Sequence, residues 1–165
     1  NQDSTNMPAR MHAFYLRNMY LENRLREPGG ITLADVPIDL SKVEVPAYFV
    51  SAKEDHIAPW HACYQGSQLL NGDTRFVLGG SGHIAGVINP PEKQKYGYWL
   101  NDSNPSAPEA WLDGATAHEG SWWLDWVEWL SPKRGGEVPA RTPGGGKLKA
   151  IEDAPGHYVK EVQDG

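Results

Sequence analysis

The sequence predicts an α/β fold, and three stretches carry that reading. Ala47-Tyr48-Phe49-Val50 is a short apolar run of strand-forming residues, and Thr74-Arg75-Phe76-Val77-Leu78 is a second. Between them Pro59 opens a helix that reaches about Leu70, and Asn71-Gly72-Asp73 turns the chain back. The first strand runs into a polar loop, Ser51-Ala52-Lys53-Glu54-Asp55-His56, and the second into Gly79-Gly80-Ser81-Gly82-His83. Strand, acidic loop, helix, strand and glycine loop make a βαβ crossover, which sets two parallel strands side by side. In open α/β sheets the carboxyl ends of such strands are where chemistry is done.

The flanking elements are weaker. Met7-Pro8 places proline where a first helical turn tolerates it. Met11, Phe14, Tyr15, Asn18, Leu21 and Leu25 recur near helical spacing and predict an amphipathic helix of about five turns. Pro28-Gly29-Gly30 stops it. Ile31-Thr32-Leu33 and Val36-Pro37-Ile38 flank Ala34-Asp35 and predict a short ribbon, with Pro37 confining its strand to an edge. After His83 an apolar stretch, Ile84 to Ile88, is halted by Asn89-Pro90-Pro91. Residues 92–106 lack periodicity and read as loop, and Pro108 opens a short helix through Ala117. Ser121 is the expected N-cap of a helix from Trp122 to Leu130, which Pro132 ends. Trp122, Trp126 and Trp129 then share a face, expected to pack on the sheet. The chain divides into an accessory layer, 1–42, a core, 43–130, and an extended tail, 131–165. With two sheet strands expected, an exposed strand edge would favour association.

Composition bounds the function classes. The 165 residues suit one domain, and 39% apolar content with seven tryptophans marks globular material. No run approaches the roughly 20 apolar residues of a membrane helix. No basic segment followed by an apolar one opens the chain, so a soluble cytosolic protein is expected. Asn1-Gln2 carries no initiator methionine, so the sequence reads as beginning within a longer protein. The 15 basic and 21 acidic residues give a net charge of −6, which argues against nucleic acid as the main partner. The lone Cys63 excludes an internal disulfide framework and a cysteine-based zinc site.

Asp55 and His83 are the candidate catalytic pair. A hydrolase-type relay needs a carboxylate to orient an imidazole, and the imidazole to take a proton from a nucleophile. In α/β-hydrolases the order along the chain is nucleophile, acid, histidine, and the last two occur here on consecutive strand ends. The bland alternative is a surface carboxylate beside a helix start and an unrelated loop histidine. The third member is missing: there is no Gly-x-Ser-x-Gly or Gly-x-Cys-x-Gly elbow. Cys63 falls inside the predicted helix and reads as a small buried hydrophobe. Ser81 is too close to His83 to be the elbow serine. His56 and His61 are five apart, off a common helix face, so no metal site is expected. Gly144-Gly145-Gly146-Lys147 lacks the spacing of a phosphate loop and reads as a linker.

Two stretches are more specific. Lys53-Glu54-Asp55-His56-Ile57-Ala58-Pro59-Trp60 and Ser81-Gly82-His83-Ile84-Ala85-Gly86-Val87-Ile88-Asn89-Pro90-Pro91 resemble the polyhydroxyalkanoate synthases. The likeness spans nearly the whole chain. Asp3-Ser4-Thr5-Asn6 and Tyr15-Leu16-Arg17-Asn18 resemble the end of that family's cap region. Gly120-Ser121-Trp122-Trp123, Asp125-Trp126 and Ala154-Pro155-Gly156-His157-Tyr158-Val159 resemble its C-terminal part, and Gly82-His83-Ile84-Ala85-Gly86-Val87 its class I members. The resemblance implies the C-terminal part of an α/β-hydrolase fold, with an incomplete sheet and the cysteine elbow upstream. It implies polymerisation of (R)-3-hydroxyacyl-CoA into polyester with release of CoA, the thioester being substrate and no cofactor being needed. His83 then matches the histidine that activates the cysteine. Asp55 matches the aspartate that supports it or helps deprotonate the incoming 3-hydroxyl. Implied partners are the growing polyester, the granule surface in the cytoplasm, and a second copy or the remainder of the synthase. By itself this chain is expected to be inactive. A non-catalytic granule-binding module and an esterase or depolymerase fragment are the competing readings.

Overall fold

Residues 6–161 are described by the structure, a computed structural model; Asp3, Ser4 and Thr5 of the cap-like stretch lie outside them. Pro8 leads into helix α1 (Ala9–Tyr15), which continues as a wider, π-type turn over Leu16–Leu21. The side-chain amide of Asn18 donates to the Phe14 carbonyl at 2.8 Å and competes with the regular ladder. The winding ends at Leu21, before Leu25 and earlier than the apolar spacing predicts, and Asn23 just beyond takes a positive φ of 48° that no helix continues through. Strands β1 (Thr32–Leu33) and β2 (Val36–Pro37) form the expected antiparallel ribbon. Its two turn residues, Ala34 and Asp35, both have positive φ, the conformation a two-residue hairpin turn demands.

The central sheet has four strands in the order β3 (Ala47–Ala52), β4 (Thr74–Gly79), β5 (Tyr98–Leu100) and β6 (Thr116–His118). Helix α2 (Trp60–Ser67) is the predicted crossover, and β3 and β4 run parallel from the Ala47–Thr74 pair to the Ala52–Gly79 pair. Two strands were not foreseen. β5 sits within the stretch read as loop, and it pairs antiparallel with β4 and β6. Three residues are too few to show alternation in sequence. The expected helix to Ala117 stops short as α3 (Pro108–Asp113), because the chain leaves at Gly114 to pair β6 with β5.

Strand alternation builds two layers. Trp60 and Tyr64 of α2, Phe76 and Leu78 of β4, and Trp111 of α3 form the buried core on one face. Phe76 and Trp111 meet edge-to-face at 5.1 Å, as do Tyr64 and Phe76 at 5.0 Å. Cys63 packs against this cluster. On the other face lies helix α4 (Trp123–Leu130). Its buried residue is not a tryptophan but Asp125, which accepts from Tyr48 Oη at 2.6 Å and pairs with Arg75. Trp122 and Trp129 flank it, each against the Tyr48 ring, whereas Trp126 is 40% exposed. The aromatic stripe expected to face the sheet is thus rotated, with the carboxylate at its centre. Beyond α4 the tail is exposed, Ile151, Tyr158 and Val159 included.

Candidate active site

Both candidate residues stand just past the carboxyl ends of the paired parallel strands. Asp55 follows β3 by three residues and His83 follows β4 by four. The register places these ends together, and backbone bonds from Lys53 N to Gly79 O (2.8 Å) and from Glu54 N to Ser81 O (3.0 Å) join the two loops. Ser81 takes a positive φ of 71°, which turns the chain over the strand end. Gly86 lets it pass close by: a Cβ there would stand 2.5 Å from the Ala52 Cβ.

The two side chains meet. His83 Nδ1 lies 2.7 Å from Asp55 Oδ2. Asp55 Oδ1 accepts from the backbone N–H of Ile57 at 2.8 Å and of Ala58 at 3.0 Å, an Asx-type turn that leads into α2. These bonds stabilise the ionised carboxylate. Its pKa is lowered to about 2, through the Ala58 N–H first and then the His83 hydrogen bond. The Asp55 side chain is only 7% exposed, while that of His83 is 48% exposed. An ionised carboxylate can only accept, so the ring donates from Nδ1, and Nε2 is the ring nitrogen left without a partner among the described residues.

Other sequence candidates are not at this site. The Cys63 thiol faces the Ala58 carbonyl at 3.8 Å from within the core layer. His61 Nε2 stands 3.8 Å from Glu109, away from the pair. Among the described residues no three His, Cys, Asp or Glu side chains converge as metal ligands, and no helix is long and apolar enough to cross a membrane. A cleft of about 670 Å³ lies on the α4 face between Arg75, Tyr98, His118 and Glu128, and excludes both Asp55 and His83. Asp125 in that cleft is already committed to Tyr48 and Arg75, so the strand ends, not this cleft, hold the relay geometry.

What the sequence reading missed is the support of the His83 loop. Residues 82–88 wind into a helical turn, with Gly86 N on Gly82 O (2.9 Å) and Ile88 N on Ile84 O (2.8 Å). Trp122 Nε1 donates to Gly86 O at 3.1 Å and Trp123 Nε1 to Val87 O at 3.0 Å. Ser121 Oγ donates to Asn89 O, and Asn89 Nδ2 reaches Gly120 O at 3.3 Å. Ser121 does receive the Trp123 N–H at 3.1 Å, as a helix-start serine should.

No family model matches the chain. Curated proteins do. The poly(3-hydroxyalkanoate) polymerase subunit PhaC of Cupriavidus necator is 50% identical over 162 residues, 97% of this chain and 27% of that protein. The PhaC of Rhizobium etli is 47% identical over 161 residues, 98% of this chain and 25% of its own length. The poly(3-hydroxyalkanoate) polymerase of Methylorubrum extorquens is 47% identical over 161 residues, 97% and 26%. The chain spans about a quarter of the length of these relatives. Likeness at this level over almost the entire chain has one reading: it belongs to the poly(3-hydroxyalkanoate) polymerase family and matches the C-terminal part of its members.

Proposed function

We propose that this chain carries the acid–base half of a polyester-forming acyltransferase, within the C-terminal part of an α/β-hydrolase fold of class I type. The observation that carries the reading is the His83–Asp55 bond at 2.7 Å with the His83 side chain half exposed. In the first half-reaction a cysteine from the rest of the polymerase gives its proton to His83 Nε2. The thiolate adds to the thioester carbonyl of (R)-3-hydroxyacyl-CoA, the C–S bond to CoA breaks, and the imidazolium returns the proton to the departing CoA thiolate. In the second, a 3-hydroxyl gives its proton to Nε2 and its oxygen attacks the S-acyl carbonyl. An ester bond forms as the C–S bond to cysteine breaks, and the imidazolium returns the proton to the freed cysteine sulfur. Of the two roles open to Asp55, holding the ring suits it better. Both its oxygens are engaged, and a carboxyl at about 2 is a weak base for a hydroxyl.

The reading includes further proposals. Residues 43–130 are the core part, 1–42 the end of a cap and 131–165 a tail. Substrate CoA thioester replaces any separate cofactor. The assembled enzyme works in the cytoplasm at the polyester granule surface, as a homodimer or joined to the remainder of the synthase. This chain by itself releases no CoA from 3-hydroxybutyryl-CoA, because Cys63 is packed into the core layer. Turnover that Cys63→Ala abolishes would overturn that point.

The test of roles uses a polymerase carrying this segment. His83→Gln is expected to abolish both single-turnover CoA release and polymer formation. Asp55→Asn is expected to lower chain growth by about 10²–10⁴-fold, the range of a lost acid–base contribution. Its single-turnover CoA release falls less, since a cysteine near neutrality is already partly ionised. Polymer formation that survives His83→Gln overturns the proposal.

A further inference from the structure

The clamp behind the His83 loop goes beyond the acid–base pair and rests on that reading of it. A helical turn leaves its last carbonyls without partners inside the turn. In residues 82–88 the carbonyls at that end include those of Gly86 and Val87: the Trp122 indole donates to Gly86 O, and the Trp123 indole joins the Asn89 backbone N–H (3.1 Å) on Val87 O. The supply is not automatic for tryptophan in this fold, because the buried Trp111 Nε1 has no partner. Both donors come from the start of α4, together with Ser121 and Gly120, so four bonds join 86–89 to 120–123. Helix α4 is itself fixed to β3 and β4 through Asp125, Tyr48 and Arg75. Among the described residues the His83 side chain has one anchor, the Asp55 bond, and it is half-exposed. The place of its ring therefore depends on where this turn is held.

We infer that Trp122 and Trp123 are positioning residues of the polymerase site: their indole N–H groups cap the His83 turn and hold its ring on Asp55. They touch no reacting atom and act through His83. A packing role alone needs the aromatic surface; a capping role needs the N–H. Phenylalanine separates the two, since it keeps an apolar ring and removes the donor.

The test compares Trp122→Phe, Trp123→Phe and Ser121→Ala with Trp126→Phe, whose indole makes no such bond. In this chain, NMR of the His83 ring reads exchange of the Nδ1 proton and the nitrogen shifts that report its tautomer. Each lost indole bond is expected to speed that exchange by about three- to tenfold, with Ser121→Ala moving it the same way and Trp126→Phe leaving it unchanged. In a polymerase carrying this segment, kcat is expected to fall by about the same factor at unchanged KM. Phe variants whose His83 exchange and kcat match those of Trp126→Phe overturn the inference. So does loss of stability with the His83 ring unmoved; if a Phe variant does not fold, Ser121→Ala decides by the same readouts. A polymerase that tolerates His83→Gln sinks the acid–base reading instead, and the ring exchange still decides the clamp.

Discussion

The two loops that bring Asp55 and His83 together are built on opposite plans. The Asp55 loop organises itself: its carboxylate receives the N–H groups of Ile57 and Ala58, two and three residues on, and α2 follows directly. The His83 loop borrows its order. Its turn has backbone bonds of its own, but its last carbonyls are held by donors more than thirty residues away, at the start of a helix whose position depends on a buried carboxylate. A relay needs both partners within hydrogen-bond reach, so the pair is as reliable as its more dependent half. That half includes His83, the base of the proposed mechanism.

Removing the strut gives the largest effect expected. Asp125→Ala leaves the Tyr48 hydroxyl and the Arg75 guanidinium without their shared partner. Arg75 is partly exposed, so the cost lies below that of a fully buried pair, at about 2–3 kcal/mol by urea denaturation. Amide exchange should then quicken at Gly86 and Ile88 before it does at Ile57 and Ala58. Equal quickening in both loops breaks the contrast.

Next comes Gly86→Ala. The added Cβ meets Ala52 Cβ at 2.5 Å and Gly80 O at 2.7 Å, so the two loops must part, at about 1–3 kcal/mol. Gly82→Ala is the control, because its nearest neighbour is Glu54 O at 3.8 Å and the change should stay within about 0.5 kcal/mol. Melting curves of the two variants that coincide would show that the loops are not in close packing at Gly86.

Smaller still is the local effect of Asp55 on its own loop. Asp55→Ala removes the acceptor of two backbone N–H groups, and exchange at Ile57 and Ala58 should rise by about three- to tenfold. Asp55→Asn keeps a carbonyl oxygen for both and should leave them near the parent rate. Should Asn behave like Ala, the turn depends on charge rather than on an acceptor, and the loop is less self-contained than its geometry implies.

The same contrast explains what was legible in the sequence. Asp55 and His83 could be found because short strand-forming runs, residues 47–50 and 74–78, mark their own ends, and the turn chemistry of Asp55 is local. β5 and β6 could not, since three residues each carry no period and their pairing is decided by distant partners. Trp122 and Trp123 announced a helix and bulk; that their N–H groups reach Gly86 and Val87 depends on how α4 is rotated. Asp125 sets that rotation, and a carboxylate on an aromatic stripe looks in sequence like a solvent-facing residue. Propensity records nothing of a partner fifty residues away.

Acid separates the two loops most finely. The clamp on the His83 turn is made of indole, hydroxyl, amide and backbone groups, none of which titrates in water's accessible range on the acid side. Asp55 does titrate, and its folded-state pKa, about 2, lies below the ordinary carboxylate value because the Ala58 N–H, and then His83, favour the ionised form. A depressed folded pKa means stability that is fully present above the unfolded value near 4 and is lost as the pH falls through about 2. The stability difference between the parent and Asp55→Asn should accordingly shrink as the pH falls below about 4. The Asp55 carboxyl carbon should titrate with a midpoint near 2, and the amide shifts of Ile57 and Ala58 should follow it in the parent and not in the Asn variant. A midpoint near 4 would mean that those two N–H groups and the imidazole do not hold the carboxylate in solution. The Asp55 loop would then need outside support as much as its neighbour does.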